Sequence, residues 1–300
     1  MPTVKHTNPS YERTGASRRV PIQVQGFRKR STERTTMSIP QLPPEMVDYI
    51  VDHLHDIEDA LRNCCLISKS WIPCTRKHLF ANIRFPLAKS LQSWKETFPD
   101  PLTSPACYTK TLSVDFSEVA TAADAETGDW MIGFSRVEHL VMDSRYLFYN
   151  RPISLVPFHG FSPATKSLRL TFTLIPLQET FNLILSFPFL EDLAVISSYS
   201  VSADSIYGFG EPPTAAQPLN QPMFTGSLEL NLTGGTELFI RRLLSLPGGI
   251  HFRELTFTWI RGKDLSAIMT AVERCSHTLE SLNIHCDHYS TSIQLVCPHR

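Results

Sequence analysis

The chain has no apolar run long enough to cross a bilayer and no apolar stretch near its N-terminus of the kind a secretory leader needs. Membrane insertion and secretion are therefore not expected, and the cytosol or nucleus is the expected compartment. Net charge is also nearly absent: 28 Lys and Arg against 29 Asp and Glu leave −1 at pH 7, so no overall field draws the chain to nucleic acid or to an anionic membrane. Catalytic signatures are missing as well. Arg261-Gly262-Lys263 lacks the upstream glycine of a phosphate cradle, no Gly-x-Ser-x-Gly occurs, and serines, histidines and aspartates are scattered in no order that singles out a triad. No catalytic residue and no cofactor are expected. Seven cysteines, an odd number without secretory features, read as reduced thiols. The cluster Cys275, His277, His285, Cys286, His288, Cys297 and His299 is spaced more loosely than zinc ligands, and strand alternation would split His285 from Cys286. No metal is expected, and Cys275 and Cys286 read as small core residues.

What is present is apolar residue in quantity: 42% of 300 residues, enough for a small module and a larger domain with a core. Residues 1–36 stand apart. Eight basic residues there against Glu12 and Glu33 give +6, which leaves −7 for the remainder of a chain whose total is −1. With few large apolar residues this basic tail is expected to be disordered. Arg28-Lys29-Arg30 is read as part of a solvated tail, with a nuclear-import or anion-binding patch and a transit peptide as the alternatives. Met37 directly before the first helical pattern raises the further reading that the tail is an upstream extension.

Leu42 to Phe80 carries three helical patterns. Pro43, Pro44 and Glu45 suit a helix start, and Met46, Val47, Ile50, Val51 and Leu54 follow at helical spacing. Asp56, with Asp59 three residues on, is expected to cap a second helix striped by Ile57, Ala60, Leu61, Cys64 and Cys65. Pro73 opens a third that ends at Leu79 and Phe80. So small a module is marginal alone and normally leans on a partner. The ordered set Leu42, Pro43, Glu45, Ile50, Leu54, Leu66, Ser68, Lys69, Trp71, Arg76, Leu79 and Phe80 resembles the F-box family. That resemblance implies a three-helix F-box over residues 38–85 that docks on the Skp-type adaptor, and through it on the cullin, of an SCF-type ubiquitin ligase. Leu42, Pro43, Glu45, Ile50, Leu54, Leu66, Ser68 and Trp71 would then serve adaptor binding, with Trp71 packing the helices.

Ile83 and Phe85 alternate as in a short strand, and Leu87, Leu91, Trp94 and Phe98 line one face of a helix between Pro86 and Pro99. A pattern then recurs. Strand-like segments centre on Leu112, Leu140, Leu168, Leu193, Leu228, Leu255 and Leu282, at steps of 28, 28, 25, 35, 27 and 27 residues. Helical stripes stand between several of them: Leu177/Phe181/Ile184, Phe239/Leu243/Leu246 and Leu265/Ile268/Met269/Val272. Strand plus helix at this period resembles a leucine-rich repeat, without its asparagine ladder, so that residues 86–300 read as an irregular leucine-rich-repeat-like α/β solenoid or as a compact α/β domain of another kind. The long step is assigned to a Pro-, Gly- and Ser-rich loop insertion at 197–222. The last repeat's helix is barely begun at Arg300, which suggests a missing end cap. An F-box followed by degenerate repeats, with phrases such as PFHGFSPATKSLRL and FPFLEDLAV, is similar to the large F-box families of fungi.

The expected architecture is thus α/β, a three-helix F-box followed by the repeat-like solenoid. The expected role is a non-enzymatic substrate-recognition subunit of a cullin-RING ligase, with a protein target held on the repeats. Arg169, Glu229 and Asn283 flank buried leucines, point the opposite way and are candidates for target contact. The alternatives are a protein-interaction scaffold outside any ligase and, third, a hydrolase on an α/β domain. Neither nucleic acid nor membrane is expected as a partner.

Overall fold

The computed structural model describes residues 42–86, 88–115, 128–144, 155, 158–172, 177–197, 222, 224–246, 248–286 and 292–296. The expected basic tail at 1–36 lies outside them. Leu42 to Arg300 form one compact unit.

Three helices open it. In α1 (Pro44–His53) Pro43 is the N-cap and Pro44 the first helical residue, where a missing N–H costs nothing, and Glu45 sits at the positive end of the dipole. For α2 (Glu58–Ile67) the expected cap does not form: Ile57 is the N-cap, with no side-chain hydrogen bond. Asp56 instead meets His55, its Oδ1 3.1 Å from Nε2, and Asp59 falls inside the first turn beside Glu58. A 3₁₀ turn (Lys69–Trp71), capped by Ser68 Oγ accepting from Ser70 N at 3.3 Å, leads to α3 (Ile72–Leu79). Val47, Val51, Leu61, Cys64 and Trp71 form a buried cluster of their own, with Ile50, Leu54, Cys74 and Leu79 packed around it.

The rest of the unit is built on a nine-stranded sheet in simple chain order. Its strands are β1 (Asn82–Phe85), β2 (Thr111–Asp115), β3 (His139–Ser144), β4 (Ser167–Phe172), β5 (Asp192–Ser197), β6 (Ser227–Leu232), β7 (Glu254–Ile260), β8 (Ser281–Cys286) and β9 (Ser292–Val296). β1 to β8 are parallel, and β9 returns antiparallel to β8. Among the described residues four further α-helices stand between strands: α4 (Ala88–Thr97), α5 (Leu177–Leu185), α6 (Thr236–Leu244) and α7 (Leu265–Cys275). The strands expected around the seven periodic leucines all form, whereas β9 was not foreseen. Ser197, expected to open the insertion, is buried as the last residue of β5, and Pro222 is buried too; the residues between them lie outside the described set.

The register is set by the leucines. Leu112, Leu140, Leu168, Leu193, Leu228, Leu255 and Leu282 are cross-strand partners in one unbroken row, and Val114, Met142, Leu170, Val195, Leu230 and Phe257 make a second. All of them are buried. Residues between them alternate to half-buried or exposed positions, as in β5 and β6. A parallel sheet covered on both faces would read as continuous apolar runs, so this alternation means that helices cover one face only. Sequential order has the same consequence, since crossovers of one hand place every connection on one side.

Each strand entry is stitched to the one before. A single carbonyl accepts two successive N–H groups of the next repeat: Ala81 O from Lys110 and Thr111, Lys110 O from Glu138 and His139, Glu138 O from Lys166 and Ser167, Arg253 O from Glu280 and Ser281. Side chains on this row alternate in sign, with Lys110–Glu138 and Lys166–Glu191 at 3.9 Å and Arg253–Glu280 at 4.0 Å. Gly226 interrupts the row, because a Cβ there would overlap the Asp192 carboxylate, which accepts from Ser227 N at 2.6 Å and Ser227 Oγ at 2.9 Å.

The two cores meet at Leu79 and Phe80. Leu79 packs on the helical cluster, whereas Phe80 lies on the sheet core, its ring edge-on to Trp94 and Phe98 at 6.0 and 6.4 Å. The expected boundary between residues 85 and 86 falls too late, because Ile83 and Phe85 already belong to the sheet core. Two adjacent aromatic-or-aliphatic positions with opposite allegiances leave no linker between the parts.

Candidate protein-binding surfaces

The helical module divides its apolar residues unequally. Trp71 is buried, and Thr75 Oγ1, one turn on, donates to its carbonyl. His78 Nε2 lies 2.8 Å from Asp52 Oδ1 and ties α3 to α1. Cys74 packs in the same interior. Burial first, then its hydrogen bond to Asp48, push its thiol up to about 12, and burial likewise raises that of Cys64. These thiols stay protonated at neutral pH and are poor nucleophiles.

Other apolar side chains face water. Leu42, Met46 and Tyr49 stand exposed along one side of α1 and its approach, with the Tyr49 ring 4.2 Å from that of His53. At the end of α2 Leu66 is 84% exposed and Ile67 63%. Three short helices around a five-residue core leave these apolar side chains uncovered. Of the residues singled out from sequence, Leu42, Pro43, Glu45 and Leu66 lie on the surface, Ser68 caps the 3₁₀ turn, Ile50 and Leu54 are half-buried against the cluster, and Trp71 is inside it. Met46, Tyr49 and Ile67 were not marked as site residues. Their apolar character was visible, but only packing shows which side of each helix is left over.

The second surface is the uncovered face of the sheet. Arg169, Ala194, Glu229, Thr256 and Asn283 are successive register partners across β4 to β8, so the three candidates do share one row. Arg169 and Glu229 stand two strands apart and reach each other over the intervening Ala194, with Nη1 3.1 Å from Oε2. A larger side chain at 194 would block that bridge. Asn283 Nδ2 is 3.5 Å from Thr256 Oγ1. The row therefore carries a charge pair spanning β4 to β6 and hydrogen-bonding groups on β7 and β8.

Besides Tyr49, two aromatic side chains of the repeat region, Phe189 and Trp259, are exposed. Trp259, at the end of β7, is 48% exposed. Among the described residues no group of three or more His, Cys, Asp or Glu is placed to hold a metal ion, Cys275 is buried and Cys286 half-buried. No helix among the described residues is long and apolar enough to cross a membrane. No protein-family model, curated protein or solved structure matches the chain.

Proposed function

We propose that the chain is a substrate-recognition subunit of a cullin-RING (SCF-type) ubiquitin ligase. The three-helix module is an F-box that docks on the Skp-type adaptor, and the repeats, a leucine-rich-repeat-like solenoid, hold a protein target on the uncovered face of their sheet. Ubiquitin transfer is carried out by other subunits, in the cytosol or nucleus. The observation that carries this reading is the pairing of the Leu-Pro-x-Glu to Leu-Phe residue pattern with a module whose small core leaves Leu42, Met46, Tyr49, Leu66 and Ile67 exposed. A few such apolar anchors dominate the affinity of an interface.

The test replaces Leu42 and Pro43 by Asp in the full chain. Both residues precede α1 and are exposed, so the variant keeps its circular dichroism spectrum while pull-down of purified Skp-type adaptor is lost. Binding that survives in the folded variant overturns the F-box assignment. Cullin recovered together with the adaptor marks a ligase subunit, and adaptor without cullin marks a scaffold.

A further inference from the structure

We draw no further inference here: the strongest candidate, the exposed indole of Trp259, which the register shift between Thr258 and Ile260 turns out of the end of β7 at a φ of 60° that glycine adopts more cheaply, carries none because nothing in the structure shows what covers it.

Discussion

Burial pushes the His159 imidazole below its ordinary value of 6.5, and its Nε2 is buried with no hydrogen-bond partner. The folded chain therefore prefers the neutral ring, while the unfolded chain takes up a proton near 6.5. Stability from this residue is complete above that pH and is lost as pH falls below it toward the folded value, because the unfolded state then binds more protons. His159→Phe removes the titration. Its unfolding free energy relative to the parent should rise as pH is lowered from about 7.5 to about 5.5, as read by urea unfolding at each pH. A difference that stays constant across this range would place the imidazole in water. At the same scale Trp259 and Ala194 show that exposed strand positions are individually shaped: one carries a ring where glycine would be cheaper, the other is small enough to let Arg169 and Glu229 meet above it.

Between elements, Asp264 does more than its place in a turn suggests. One oxygen closes the 3₁₀ turn before α7 through Arg261 N, and the other receives Glu237 N in the first turn of α6, one repeat earlier. α6 lacks a side-chain cap of its own, because Gly235 holds the N-cap in a left-handed conformation with φ 82°. A residue of the following repeat thus caps it. Asp264→Ala leaves two N–H groups without their acceptor in a buried place and should cost about 2–3 kcal/mol in chemical denaturation, whereas Asp264→Asn, which keeps one acceptor, should cost less. An alanine variant as stable as the parent would mean that water replaces the carboxylate without loss. Asp192 acts in a similar way on the entry to β6, and Gly226 leaves the room it occupies.

Over the whole molecule, two cores of very different size share one compact unit. The helical cluster has five buried residues, while the sheet core runs from Ile83 to Leu282. Trp71→Ala removes the largest member of the small cluster, and deletion of a buried aromatic costs about 3–5 kcal/mol. Because the sheet is stitched repeat to repeat through its own carbonyls, that loss should fall on the helices alone. Thermal circular dichroism should show helix lost at a lower temperature with the main transition in place, together with failed adaptor pull-down. One undivided transition, displaced downward, would mean that Phe80 couples the two cores into a single cooperative unit.

The seven leucine-centred strands and the pairing of each with the next were legible in the sequence. A leucine at near-constant spacing can be buried only beside the equivalent leucine of the next repeat, and alternation across it states that one face is left open. The sequence by itself also determined the proline start of α1, since local geometry suffices for that, whereas the interior place of Trp71 was only what the family resemblance implied. Other features depended on neighbours that the local pattern does not contain. Asp56 was as good a cap as any until His55 drew it away; the alternating charges before each strand became a row only once strands lay side by side; β9 carries no leucine at the repeat period and forms by pairing back on β8. The bulge at Trp259 is the sharpest case, because periodicity assigns that residue inward, and only the competition of Ile260 for the core, settled across the whole sheet, turns the indole out into water.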